Sequence, residues 1–157
     1  MFPTKILVAT DASDEAYPAV EAAVELASGT GSELEVVFVV SNAPELPYPV
    51  FIARERYEAF MEQKRLGGLR LLEHQVRHVE ELGGSVAASH YKEGNPEREV
   101  IKLGRETGAG LIVTGGQRRP WYVRIFGAGF SSKVLRKAGR PVLVVGKRGL
   151  QGSAIPK

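Results

Sequence analysis

Leu111-Ile112-Val113-Thr114-Gly115-Gly116-Gln117-Arg118-Arg119 and, a few residues on, Gly127-Ala128-Gly129-Phe130-Ser131-Ser132-Lys133-Val134-Leu135-Arg136-Lys137-Ala138-Gly139-Arg140-Pro141-Val142-Leu143-Val144-Val145 decide the fold of this chain. They read as strand, glycine loop, helix, strand. An apolar run that opens into a glycine-rich loop ahead of a helix is how α/β proteins aim backbone N–H groups at a phosphate, at the positive end of a helix dipole.

The same alternation extends upstream. Lys5-Ile6-Leu7-Val8-Ala9-Thr10 is a nearly continuous apolar run, the pattern of a strand buried on both faces of a parallel sheet. Asp11 to Glu15 supplies a turn, with Ser13 as the capping residue of the helix that follows. Ala16, Val20, Ala23, Val24 and Ala27 keep the three-and-four spacing of one buried face, Pro18 falls early enough to be tolerated, and Ser28 to Gly31 ends the helix. Glu33 to Val40 is a second strand, followed by a loop, Ser41 to Pro49, with three prolines. A long helix is predicted from about Ala53 to Leu82, with Leu69, Leu72, Val76 and Val79 as its buried stripe and Gly67-Gly68 as its weak point. Ser85 to Tyr91 is a third strand. Asn95-Pro96-Glu97 gives an N-cap, a proline at the first helical position and a first-turn acid, and Gly108 stops that helix. Leu111 to Thr114 is strand four, Ser131 or Ser132 starts the last helix, Gly139 ends it, and Pro141 to Val145 is strand five.

Strands that alternate with helices form a parallel sheet with helices on both faces, because right-handed crossovers place them there. Ligands in such sheets bind outside the carboxyl ends of the strands, at the topological switch point. Those ends are Thr10-Asp11, Val39-Val40 and Thr114-Gly115.

The 157 residues, 43% of them hydrophobic, suit a single core: one domain over residues 1–146 and a flexible tail over 147–157. The absence of cysteine excludes disulfides, thiolate metal sites and a thiol nucleophile. No apolar run approaches the roughly 18 residues that cross a bilayer, and Met1 to Val8 enters a strand without a signal-like charged segment, so a cytoplasmic protein is expected. The net charge is +3, from 21 Lys and Arg against 18 Asp and Glu, and the basic residues are spread through helices that also carry Glu. That argues for a solvated surface rather than a nucleic-acid footprint.

Four segments, taken together, resemble the universal stress protein family: Lys5 to Ser13 with its helix, the Glu33 to Val39 strand, Glu93-Gly94-Asn95-Pro96 through Gly108 to Gly115, and Lys133 to Val145. The resemblance covers nearly the whole chain. It implies a five-stranded parallel sheet of order 3-2-1-4-5, Rossmann-like and akin to the adenine nucleotide alpha hydrolases, and a homodimer formed through the strand at 142–145. Many members of that family bind ATP through Gly, two residues, Gly, nine residues, Gly, then Ser or Thr. Fixing the register by Gly115 and Val134-Leu135 places those four positions at Gly115, Arg118, Ala128 and Gly129, of which the first alone is kept. Asp11 and Val39 match the positions where ATP-binding relatives hold the adenosine part. The adenine-nucleotide set implied for this chain is Ala9, Thr10, Asp11, Val39, Gly115, Arg118, Gly127, Gly129, Phe130 and Ser131. Its adenosine half fits the pattern and its phosphate half is degenerate.

Other candidates are weaker. Asp11 reads equally as a cap for the next helix. Gly127-Ala128-Gly129-Phe130-Ser131-Ser132 approaches a dinucleotide fingerprint but lacks the last glycine and follows no strand directly. His74 and His78 have the spacing of metal ligands but no partner acid, and the preferred reading is a solvated helix face; His90 is read as structural. Trp121, Tyr122, Ile125 and Phe126 among Arg118, Arg119 and Arg124 suit single-stranded bases or, the preferred reading, cover for a sheet edge or partner subunit. No nucleophile elbow, P-loop or paired carboxylates appear. The expected function is non-enzymatic: a dimeric stress-response regulatory or binding protein with a degenerate adenine-nucleotide site. An ATP-binding switch or slow ATPase, with Arg118 and Gly127 to Ser131 rebuilding the phosphate loop, is the alternative, and a nucleic-acid module using Arg118 to Arg124 is the third.

Overall fold

The computed structural model describes residues 5–41, 54–116 and 129–146. Five strands, β1 (Lys5–Thr10), β2 (Glu33–Ser41), β3 (Val86–Gly94), β4 (Leu111–Gly115) and β5 (Val142–Val145), form one parallel sheet in the order β3-β2-β1-β4-β5. Four helices, α1 (Tyr17–Thr30), α2 (Arg54–Glu81), α3 (Pro96–Thr107) and α4 (Phe130–Lys137), connect and cover them. Residues 42–53, which hold all but Ser41 of the expected loop Ser41 to Pro49, residues 117–128 with Arg118 and Gly127 among them, and the expected tail at 147–157 lie outside the described residues.

The central strand explains the continuous apolar run. Ile6 and Val8 point into a core with Ala19, Val20, Ala23 and Val24 of α1 and Leu72 and Val79 of α2. Leu7 and Ala9 point the other way, into a core with Val100 and Leu103 of α3 and Phe130 and Val134 of α4. A strand sandwiched between two helical layers has no face left for polar side chains.

Local signals set the helix ends. Asn95 Oδ1 accepts the Arg98 N–H at 3.0 Å, Pro96 occupies the first turn of α3, and Gly108 closes it in the left-handed conformation. Gly31 closes α1 in the same way, and Pro18 sits in its first turn. Arg140 Nη1 donates to the carbonyls of Gly104 (2.5 Å) and Ala109 (2.7 Å), placing positive charge at the C-terminal end of α3.

Three local expectations are corrected. Ser13 does not cap a helix through its side chain: a short 3-10 turn, Asp14–Ala16, precedes α1, and the Ser13 N–H and hydroxyl both go back to Asp11 Oδ1. The buried stripe of α2 is Gly68, Leu72, Gln75 and Val79, whereas Leu69 is exposed and Val76 half-buried. The helix runs unbroken through Gly67-Gly68 because Gly68 is where α2 approaches the sheet: a Cβ there would lie 2.7 Å from Tyr91 and 2.8 Å from Val40. Finally, α4 starts at Phe130 rather than at a serine, with Gly129 as its N-cap at φ +75°.

His78 is not on a solvated face either. It packs edge-on against the Tyr17 ring, centroids 4.8 Å apart. His90 Nε2 lies 2.8 Å from the buried Glu35 carboxylate, which also takes Lys5 Nζ at 3.1 Å, so this histidine ties β3 to β2. Among the described residues, no group of three or more His, Cys, Asp and Glu is arranged to hold a metal ion, and no helix is long and apolar enough to cross a membrane.

Candidate functional site

In this strand order the chain leaves β1 toward β2 and leaves β4 toward β5, so the crevice between the carboxyl ends of β1 and β4 is the switch point. Ala9 pairs with Thr114 there, which brings the Thr10-Asp11 end of β1 beside the Thr114-Gly115 end of β4.

Three groups of residues shape that crevice. Its floor is apolar: Ala9, Val39 and Phe130 are buried in the α3/α4-side core, so they border the site from within the protein. One wall is the β1 turn. Asp11 is only 4% exposed, and its Oδ1 accepts the Ser13 N–H at 3.0 Å and the Ser13 hydroxyl. Both bonds fall on one oxygen, so Oδ2 is the atom this turn leaves for another donor. Ala12 adopts φ 58°, the left-handed region that a non-glycine residue enters at a cost, and its N–H donates to Thr10 Oγ1 at 3.1 Å. The same hydroxyl donates to Gln75 Oε1 at 3.0 Å.

The opposite wall is the junction of β4 and α4. The Ser131 hydroxyl donates to the Gly115 carbonyl at 2.8 Å, and the Gly116 N–H donates to the Val145 carbonyl at 2.8 Å. The first bond fixes the first turn of α4 against the end of β4, and the second ties that end to β5. The N–H groups of a first helical turn have no acceptor within the helix, and they carry the positive end of its dipole. No acidic side chain occupies that turn of α4. A carboxylate on one wall and a helix N-terminus on the other offer a ligand an acceptor for hydroxyl or amine hydrogens and a set of donors for an anion.

Of the sequence-derived set, the fold brings Ala9, Thr10, Asp11, Val39, Gly115, Gly129, Phe130 and Ser131 around this one crevice. Arg118 and Gly127 lie outside the described residues. A side chain at Gly129 would meet nothing within 4 Å, but the left-handed backbone there favours glycine whatever the space, so the serine expected from the family pattern meets a conformational cost. The α4 hydroxyl at the end of β4 comes from Ser131 instead. Sequence reasoning missed Gln75. Its signal was a glutamine in step with Leu72 and Val79 on the inward face of α2.

The family model described as the universal stress protein family matches residues 3–146 of this chain. Universal stress protein YxiE of Bacillus subtilis is 30% identical over 145 residues, spanning 90% of this chain and 97% of its own length. Among solved structures, a protein of the universal stress protein family from Burkholderia pseudomallei is similar with TM-score 0.61 and 28% identity, over 90% of this chain and 95% of that one. The universal stress protein from Archaeoglobus fulgidus in complex with dAMP has TM-score 0.59 and 23% identity, over 92% of this chain and 99% of that one. At that last identity the likeness is one of fold.

Proposed function

The chain belongs to the universal stress protein family, and from that premise we propose that it is a cytoplasmic stress-response binding protein whose switch-point crevice takes the adenosine part of an adenine nucleotide. The observation that carries this reading is Asp11, a nearly buried carboxylate held at the end of β1 across from the first turn of α4. An acid in that position suits ribose hydroxyls or the exocyclic amine of a base, since both donate hydrogen bonds. The dAMP complex of the Archaeoglobus fulgidus protein supports an adenine nucleotide as the ligand class. The departures at Arg118, Ala128 and Gly129 from the family's phosphate pattern make adenosine, rather than the polyphosphate, the anchored half. We assign the protein no catalytic residue, and its action is by binding, as a homodimer paired through β5.

Calorimetry with AMP and ATP tests the reading. AMP and ATP are expected to bind within a few-fold of one another, and Asp11→Ala to weaken both by roughly tenfold, the size of one lost hydrogen bond to a charged group. ATP binding more than tenfold tighter than AMP, a difference of about 1.4 kcal/mol, overturns the degenerate-phosphate reading in favour of a rebuilt phosphate loop. Absence of binding by either nucleotide at millimolar concentration overturns the whole assignment. Mass spectrometry of nucleotide released on denaturing freshly purified protein identifies the physiological ligand.

A further inference from the structure

Gln75 is the one member of the inward stripe of α2 that carries a polar side chain, among Gly68, Leu72 and Val79. It is fully buried, and its Nε2 has no hydrogen-bond partner among the described residues. A buried amide donor left unsatisfied is a cost that a leucine or methionine of similar volume would not bear. Packing alone therefore argues against glutamine at this position, and the reason for it must lie at its other atom.

That atom, Oε1, accepts the Thr10 hydroxyl proton at 3.0 Å. A threonine hydroxyl has a single proton and rotates to place it on the best acceptor nearby. With the proton committed to Gln75, the lone pairs of Thr10 Oγ1 face the Ala12 N–H, which donates to it at 3.1 Å. Ala12 is the described non-glycine residue with positive φ, and it sits between Asp11 and Ser13, the two residues that form the carboxylate turn. The order of dependence is Gln75, Thr10, Ala12, Asp11. We propose that Gln75 is a positioning residue for the switch-point site: through the Thr10 hydroxyl it holds Ala12 in its left-handed conformation and so sets where the Asp11 carboxylate lies. The inference rests on the adenine-nucleotide reading for its functional consequence, but its structural part stands without it.

The test is Gln75→Met, which keeps length and apolar volume and removes the acceptor, alongside Thr10→Val and the conservative Thr10→Ser. Hydrogen exchange of the Ala12 and Ser13 amides reads the turn directly, with no ligand present. Exchange is expected to rise at least tenfold in Gln75→Met and Thr10→Val and to return toward wild type in Thr10→Ser. The melting temperature of Gln75→Met is expected to change little, because the orphaned Nε2 donor is gone while the buried Thr10 hydroxyl loses its acceptor, and AMP affinity is expected to fall by roughly tenfold. In an Asp11→Ala background, Gln75→Met is expected to weaken AMP no further. Unchanged Ala12 exchange, or equal loss of AMP affinity with and without Asp11, overturns the positioning role. Failure of wild-type protein to bind AMP would refute the proposed function alone, since the exchange measurement would still decide the relay.

Discussion

Two adjacent glycines in the interior of α2 are expected to respond in opposite directions to the same substitution. In a helix interior, glycine is less favourable than alanine by about 0.8–1.0 kcal/mol, so Gly67→Ala and Gly68→Ala start with the same gain. At Gly67 a new Cβ meets nothing within 4 Å, and the whole gain of about 1 kcal/mol is expected to appear as stability. At Gly68 the new atom would lie 2.7 Å from Tyr91 Cε2, 2.8 Å from Val40 Cγ2 and 3.3 Å from Phe38 Cε1. All three are shorter than an ordinary carbon contact, which begins at about 3.5 Å, and at the first two something must shift. Val40 is held by a β-branched χ1 and Phe38 is buried, so relief has to come from the Tyr91 ring or from lifting α2 off the sheet. Overpacking of this kind costs about 1–3 kcal/mol. Because the propensity gain cancels between the two variants, Gly68→Ala is expected to be about 1–3 kcal/mol less stable than Gly67→Ala, and between neutral and about 2 kcal/mol worse than wild type. Urea unfolding of the three proteins reads this as midpoints at constant slope. In thermal melts each kcal/mol is about 2–4 °C for a chain of this length. A Gly68→Ala protein stabilised as much as Gly67→Ala would refute the close approach of α2 to β2 and β3.

Three further outcomes are expected. The carbonyls of Pro141 and Val145 accept from Ile112 of β4 and from Gly116 just beyond it, so by two-residue alternation Val142 and Val144 turn their N–H groups to the outer edge of β5; Val144→Pro is therefore expected to spare the sheet and turn the proposed dimer into a monomer in light scattering, and wild-type protein that is monomeric at tens of micromolar would refute the dimer. Gly129→Ala and Gly129→Ser are expected to lose about 1–2 kcal/mol in thermal melts through the left-handed backbone alone, with Gly129→Asn losing less; unchanged melting of the alanine variant would refute the cap. Burial opposes the ionisation of Glu97, but its own backbone N–H, Lys133 at 3.4 Å and Asn95 outweigh it and hold the carboxyl below its ordinary value of 4.5. A carboxyl depressed in the folded state adds stability above its unfolded value and loses it as pH falls through the folded one, so Lys133→Met is expected to flatten the decline in stability below about pH 4.5 and change little at pH 7; an unaltered acid limb would refute the pairing.

The sheet was readable from sequence because its central strands are apolar on both faces, so β1, β2 and β4 announce themselves without any knowledge of their neighbours. The caps at Asn95, Gly31 and Gly108 were readable for a similar reason, since each acts within a few residues of itself. What failed was what depends on a second element. The stripe of α2 was placed on Leu69 and Val76 because apolar periodicity passes over a glycine and a glutamine, yet Gly68 faces Val40 and Tyr91, and Gln75 faces Thr10. His78 was read as solvated because Tyr17, its ring partner, is about sixty residues away in the chain. Basic residues looked evenly spread along the sequence, whereas Arg98, Lys102 and Arg105 share a crevice of about 420 Å³ with Lys137 of the next helix. Within the candidate site, the fold brings Asp11, Gly115 and Ser131 to one crevice, but that Ser131 bonds Gly115, and that Asp11 bonds Ser13, follows from turns whose backbone angles no residue pattern specifies.

The two edges of the sheet are unlike one another, and that difference limits how far the molecule can assemble. On the β5 side, Leu143 and Val144 are exposed on a strand without a charge from Pro141 to Gly146. On the β3 side, the strand carries Lys92 and Glu93, and its register against β2 shifts between Leu34 and Glu35, two devices that discourage a further strand from adding. A subunit with one adhesive edge and one refractory edge has a valence of one. In the homodimer proposed above, pairing through β5 would consume that valence for both partners and leave a ten-stranded sheet terminated at each end by β3. Concentration would then drive such chains to completion as pairs, with no strand edge among the described residues from which a fibre could grow.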